Sequence, residues 1–542
     1  APRQAFPGVR SLSLQLQVLE RVVIPVALGC ALVSPALAAP AANAEALRGL
    51  LVGSPLDSVY AAHDYSAFWR QDDAVGSLLR GVEGSVNEGL DPEDYNLAEI
   101  RRLLDTQVAQ SKESRAQLDV LLTSAFHKLV HDLRFGHAEG SSLLPDLDLP
   151  RSQVSMPQMA APMTADLVVT QLQQASPNHF LYGRLLWALS MYRALAANGG
   201  WPSVPEGETL RENDVDPRVR DLRKRLVVTG DLATPDTSSM WFDTALLEAV
   251  KRFQARHDLS PDGAVGPKTL AALNVPVEDR VNQIRVNLER ARWILPNIPD
   301  TFLAVNVAGF KVFFVQDGEQ VWEARAQVGR AARETPIFKA DMTHVVLNPT
   351  WTVPPTILEE DYFPSIMTDS TFLATKGLSV LDSKGQPVSP DSVAWGNYTG
   401  KNFPYMLRQS PGDRNALGRI KFMFPNKHFV FLHDTPDKSL FNRATRMYSS
   451  GCIRVERPFE LAELVLNDPE KWSEEKVLNA VKKNTTRTVY LKDPLPVYVL
   501  YWTADVTMEG TVQFHQDIYL RDPGVLAVLE NRPMPAGAAN GD

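Results

Sequence analysis

Apolar residues change their rhythm twice along this chain, and each change marks a different kind of structure. Leu118, Leu122, Ala125, Leu129 and Leu133 fall one helical turn apart, so one face of a helix over 118–133 is core. A second helix is predicted over 180–197, closed by Gly199-Gly200. Residues 45–205 therefore read as a helical scaffold domain. His127 and His131 stand at i, i+4 on the first helix, but Lys128 sits where a zinc-protease helix has Glu, so no metal is expected.

Between 213 and 276 the pattern tightens. Val219, Leu222, Leu226 and Leu232 mark one helix and its exit, and Leu246, Ala249, Val250 and Phe253 mark another, followed by Gln254 and His257. Asp262-Gly263 makes a turn, Gly266 permits positive φ, and Pro267 suits the first turn of a further helix ending near Asn274. This run resembles the peptidoglycan-binding type 1 module, a three-helix fold. The resemblance implies a wall-binding role; a degenerate spacer is the other reading. Residues 277–300 read as a helical connector ending in Trp293-Ile294-Leu295-Pro296.

From 301 the period shortens to that of strands, with apolar runs at 302–307, 311–315, 321–328, 343–347, 427–432, 488–491 and 497–501. Short β-branched and aromatic runs at this spacing predict an antiparallel sandwich or barrel. The expectation is a β-sandwich over 301–507. Between Trp351-Thr352-Val353-Pro354-Pro355 and Arg414 the pattern lapses into loop-rich sequence, long enough to be a lid inserted at about 355–414. Residues 508–542 are expected to form a hairpin and then a disordered tail, because 523–542 is rich in Pro, Gly and Ala. The fold class is multidomain α+β.

The 542 residues exceed one core, and a net charge of −9 argues against nucleic acid as a partner. Arg3, Arg10 and Arg21 accompany an apolar run at 22–33, followed by Ala36-Leu37-Ala38-Ala39. This reads as a signal peptide over 1–44 and places the protein in the periplasm. A membrane anchor would need a longer run, uninterrupted by Pro25 and Pro35. Leu28-Gly29-Cys30 is a partial lipobox, with Ala27 in place of leucine. If the segment is removed, Cys452 is the one cysteine left, and an unpaired thiol in an oxidising compartment is a candidate nucleophile.

The candidate chemistry lies in His433-Asp434-Thr435-Pro436 and Ser449-Ser450-Gly451-Cys452-Ile453-Arg454. An imidazole can take the thiol proton and leave a stronger nucleophile. His433 is predicted to end a strand, and the Asp434 backbone carbonyl can accept its other ring N–H and fix the tautomer. Gly451 permits an unusual turn whose backbone N–H groups, that of Cys452 included, can face the oxygen of a tetrahedral intermediate.

In these residues the chain resembles the L,D-transpeptidase (YkuD) family, in its long Gram-negative branch with an N-terminal scaffold domain. The resemblance covers roughly 55–520. It includes Asn348-Pro349-Thr350-Trp351-Thr352-Val353-Pro354, Leu407-Arg408-Gln409-Ser410-Pro411-Gly412, Asn415-Ala416-Leu417-Gly418 and Lys421-Phe422-Met423-Phe424-Pro425-Asn426. Many members have histidine where this chain has Ser450 and asparagine where it has Arg454. The family implies that Cys452 attacks the carbonyl of the L-centre of diaminopimelate in a donor stem peptide. D-alanine leaves, and a second stem's amine resolves the thioester into a 3→3 cross-link. It implies no cofactor, and acylation by carbapenems. Arg454 either pairs with a substrate carboxylate or makes a structural salt bridge. Trp351 either walls the pocket or packs in a core, Arg408 either faces the cleft or is solvated, and Ser450 shapes the turn beside the substrate. Two other readings stay open: water as acceptor, giving a carboxypeptidase or endopeptidase, and a non-catalytic wall-binding scaffold. Oligomeric state is not legible.

Overall fold

The computed structural model describes residues 44–105, 111–138, 159–233 and 236–533. The expected signal peptide, but for its last residue, lies outside them. No helix among the described residues is long and apolar enough to cross a membrane.

The scaffold is helical. Its longest helix, Lys112–Phe135, starts where the Ser111 side chain accepts from the Ser114 N–H and stops at Gly136, whose φ of 92° no L side chain adopts comfortably. A Cβ at Gly136 would lie 2.4 Å from Trp293 Nε1, so the helix end is closed directly onto the next domain's lead helix. Buried Asp119 holds the fold together locally, accepting from Tyr60 OH, Phe68 N–H and Trp69 N–H. His131 Nδ1 lies 3.2 Å from Asp132 Oδ1, and among the described residues no cluster of potential ligands could hold a metal ion. The next module contains the helices Arg218–Val228, Thr244–Ala255 and Pro267–Leu273 around a small core of its own.

The expected helical connector is a helix, and it forms a buried spine. Helix Val277–Ile294 carries Glu289 and Arg292, both buried and paired at 2.8 Å. Glu289 accepts from the Ala138 N–H of the scaffold, and Asn287 donates to Thr503 beyond the barrel. Other ion pairs of the helix reach outward, Arg290 to Asp522 at 2.6 Å and Arg292 to Glu88 at 4.0 Å.

The strands are β1 (Phe302–Asn306), β2 (Lys311–Gln316), β3 (Glu319–Gly329), β4 (Phe338–Leu347), β5 (Trp351–Thr352), β6 (Leu378–Leu381), β7 (Pro387–Val388), β8 (Met406–Gln409), β9 (Ile420–Met423), β10 (Leu432–His433), β11 (Met447–Ser449), β12 (Ile453–Val455), β13 (Arg487–Leu500), β14 (Ala504–Val506) and β15 (Val512–Phe514). Nine of them form one sheet, β11-β3-β12-β10-β9-β4-β13-β1-β2, and β2 also pairs with β3. That second pairing closes the sheet, so the domain is a barrel rather than the expected sandwich. It is also not purely antiparallel, since β1 runs parallel to β13 and β10 parallel to β12. The inward residues Leu303, Val305, Phe422, Leu432, Ile453 and Val497 share one core. On the β13-β1-β2 wall the outward residues Phe302, Ala304, Phe313 and Tyr498 are buried as well, against the spine helix. Burial on both faces explains why these strands read as unbroken apolar runs.

Residues 351–417 are not loop-rich. They fold into the sheet β5-β8-β6-β7 with short helices and their own apolar cluster of Val353, Phe363, Leu378, Val380 and Leu407. The expected tail is likewise ordered at its start: helix Asp522–Leu529 buries Val525 and Leu529 in the scaffold core. Residues 534–542 lie outside those described.

Candidate active site

β10 is two residues long, and its register builds the site. His433 lies opposite Arg454 on β12 and opposite Lys421 on β9. Paired residues share a face of the sheet, so Lys421, His433 and Arg454 form a row across three strands on the barrel's outer side. Phe431 and Cys452 precede His433 and Arg454 by two residues and occupy the same face. The Ile453 N–H donates to the Phe431 carbonyl at 3.1 Å, locking the register. The thiol is therefore one step along the ladder from the imidazole.

The preceding segment is not strand, as the apolar run 427–432 suggested. It is a turn stitched by Asn426, whose side chain accepts from the His428 and Val430 N–H groups. Phe429 takes a φ of 56° and leaves its ring 84% exposed. Cys452 is half-buried, and its Sγ lies 3.9 Å from the Phe429 carbonyl. Among the described residues the thiol makes no hydrogen bond to an imidazole.

His433 is buried, and its Nδ1 faces the Asp434 backbone carbonyl. A carbonyl can only accept, so Nδ1 carries the proton and Nε2 is the basic nitrogen. Burial, then the Arg454 charge, pushes the imidazole down to about 3, so the ring is neutral. The Asp434 carboxylate accepts from the Arg419 N–H at 2.8 Å and pairs with Lys438. It leaves no room for a side chain at Gly418, where a Cβ would fall 2.4 Å from the carboxyl carbon. Burial pushes the Cys452 thiol up, while a Phe431 backbone hydrogen bond and the charges of Lys421 and Arg454 oppose the rise. The resting pair is thiol and neutral imidazole.

Gly451 has a φ of 107°, and its N–H donates to Ser449 Oγ at 3.2 Å. It is thus not free for an oxyanion. No described residue accepts from the N–H of Ser450 or Cys452, and those two remain. Ser450 Oγ accepts from Arg333 Nη1 at 3.0 Å, and Arg333 in turn pairs with Glu360 and with Asp361 at 2.7 Å in the insertion. Arg454 Nη1 donates to Gln327 Oε1 at 3.1 Å and lies 3.8 Å from Asp437, while its Nε is buried without a partner among the described residues. Of the two expected readings of Arg454, these contacts are those of the structural one. Trp351 is buried in the insertion's cluster, edge-on to Tyr362 at 5.8 Å. Arg408 is tied to Thr352 Oγ1 at 3.0 Å on the insertion's own sheet and does not join the row.

The sequence reading missed Lys421, Gln327 and Arg333 as site residues. Alternation along 420–423, with Ile420 and Phe422 inward, already put Lys421 on the face opposite the core. Gln327 and Arg333 carry no signal of that kind: Gln327 reaches the site through the pairing of β3 with β12, and Arg333 through its hydrogen bond to Ser450.

Residues 300–498 match the family described as L,D-transpeptidase catalytic domain (YkuD), residues 54–189 match "Scaffold domain", and residues 215–273 match "Putative peptidoglycan binding domain". A Haemophilus influenzae protein named "Putative L,D-transpeptidase" is 34% identical over 243 residues. The match covers 45% of this chain and 48% of that relative, so it spans about half the relative's length. Solved structures of L,D-transpeptidases also align. The one from Stackebrandtia nassauensis has 12% identity over 55% of this chain and 96% of that chain, with a TM-score of 0.22. The one from Xylanimonas cellulosilytica has 14% identity over 55% and 99%, with a TM-score of 0.18.

Proposed function

From a chain that carries the catalytic domain of the L,D-transpeptidase (YkuD) family beside a scaffold and a peptidoglycan-binding domain, we propose a cysteine acyltransferase acting on peptidoglycan stem peptides. The observation that carries this reading is the parallel pairing of β10 with β12, which sets Cys452 and the basic Nε2 of His433 on one face of neighbouring strands. Rotation of the thiol away from the Phe429 carbonyl brings it to the ring when substrate binds, as catalytic hydrogen bonds often tighten only in the complex.

The thiol proton passes to His433 Nε2 as sulfur attacks the carbonyl of the L-centre of diaminopimelate. The N–H groups of Cys452 and Ser450 receive the developing oxyanion. The C–N bond breaks, the D-alanine amine takes the proton from His433, and a thioester remains on Cys452. A second stem's side-chain amine gives up a proton to His433, attacks the thioester and restores the thiol, leaving a 3→3 cross-link. Closure of residues 351–417 over the site favours an amine over water. Export through residues 1–44 to the periplasm supplies the compartment in which such stems occur, and carbapenems, as strained acyl donors, acylate the same sulfur.

The full chain incubated with purified tetrapeptide stems is expected to yield a Cys452 adduct lacking D-alanine, and then cross-linked dimers, by mass spectrometry. Cys452→Ala abolishes both, and His433→Ala slows adduct formation by roughly a hundredfold or more. Trimmed monomers without dimers would transfer the reading to the water-using hydrolase. Full activity in Cys452→Ala would remove the enzyme altogether and leave a wall-binding scaffold.

A further inference from the structure

We propose that Lys421 is a carboxylate-binding residue that reads the free C-terminus of the donor stem, the carboxylate of the departing D-alanine. The inference deepens the acyltransferase reading and depends on it. Lys421 is the direct cross-strand partner of His433 on β9, so its side chain leaves the sheet on the face that bears Cys452. Of the two cations flanking His433, Arg454 is engaged through its Nη1 by Gln327 and Asp437, and only its Nε is unpartnered among the described residues. Lys421 has no carboxylate partner among the described residues. Its ammonium rests on the face of the Phe431 ring, 3.6 Å from the centroid, and the Phe431 ring lies tilted to that of His433, with centroids 5.8 Å apart. A half-buried ammonium held only by an aromatic face is a charge waiting for an anion, because a cation–π contact replaces only part of its hydration.

The reaction supplies that anion at the right place. The carboxylate of the leaving residue is three bonds from the carbonyl that Cys452 attacks, so once sulfur and carbonyl meet, it must lie within a side chain's reach of the same row. A lysine is suited to it, as a mobile point charge that can leave the ring and follow the product out. An amide at that position would leave the ammonium unpaired and would be rejected.

The test uses the full chain with a tetrapeptide stem ending in D-alanine and with the same peptide as its C-terminal carboxamide, kcat/KM being read from adduct formation on Cys452. The wild type should prefer the acid by roughly tenfold to a hundredfold, the range of a charge-assisted hydrogen bond. Lys421→Met should bring that ratio to about one, largely by slowing the acid, and Lys421→Arg should keep most of it. The ratio is insensitive to any change in thiol acidity, since both peptides meet the same sulfur. A ratio that stays at its wild-type value in Lys421→Met overturns the proposal, as does a wild type that does not distinguish the two peptides. Neither result touches the acyltransferase reading, which in this assay fails if the wild type forms no adduct with either peptide.

Discussion

The Cys452 thiol and the His433 ring start the reaction uncharged, and that state follows from burial. Burial raises a thiol and lowers an imidazole, so the thiolate–imidazolium pair is disfavoured on both sides. Lys421 and Arg454 help only one partner, lowering the thiol while further opposing a proton on the ring. Alkylation of Cys452 by iodoacetamide should therefore rise steadily with pH from 5 to beyond 9, with no plateau between 5 and 8. A preformed ion pair would give a plateau beginning below neutrality, as a paired thiolate does. His433→Gln should leave the shape of this profile unchanged while removing stem-peptide turnover, which separates the acidity of the sulfur from the work of the base. The contact of His433 with the Asp434 carbonyl was legible in the sequence, because it is a short-range feature between a histidine and the residue that follows it. The row in which His433 stands was not, since two-residue strands such as β10 carry no period of their own.

At the scale of elements, what the sequence hid is the closing of things that look open. The insertion reads as loop because its strands are two to four residues long and its apolar residues are spread among turns; they meet only in the folded cluster. Its hold on the site is electrostatic. Glu359, Glu360 and Asp361 fall on a one-turn π-helix, Leu358–Tyr362, and Arg333 reaches across to Glu360, Asp361 and Ser450 at once. Arg330 adds a contact to Asp361 at 3.1 Å. π-helical turns are rare and cluster at functional sites, and here the turn gathers acids against a pair of arginines beside the loop that carries Cys452. Arg333→Ala should loosen this hold by ~1 kcal/mol, the scale of a partly exposed ion-pair cluster. Amide exchange over 355–376 should then quicken by roughly threefold to tenfold, and hydrolysis of the thioester by water should rise against amine transfer. Exchange unchanged over that segment would mean that the apolar cluster alone fixes the insertion.

For the whole molecule, the joint between the peptidoglycan-binding domain and the barrel turns on one buried histidine. His515, on the segment leaving the β14–β15 hairpin, lies 2.6 Å from Asp258 of that domain and 3.1 Å from Asp505 of the hairpin. Burial alone would lower its ring, but the two carboxylates overcome it and hold the imidazole up at about 10, so it stays charged. Because the folded value lies above the unfolded one, the unfolded chain binds fewer protons between about pH 6.5 and 10. The stabilisation is full below about 6.5 and is lost as pH rises through 10. His515→Gln removes the charge between two carboxylates and should cost about 3–5 kcal/mol at pH 6, the scale of a broken buried pair. The cost should shrink steadily in melts repeated at pH 8 and pH 10. The same variant should expose the module's junction to limited proteolysis while leaving Cys452 alkylation at its wild-type rate, because the site lies on a different wall of the barrel from this joint. A cost independent of pH would mean that His515 acts by packing rather than by charge, and that the domain is docked by contacts such as that of Phe514 with His257, whose rings stack at 5.8 Å.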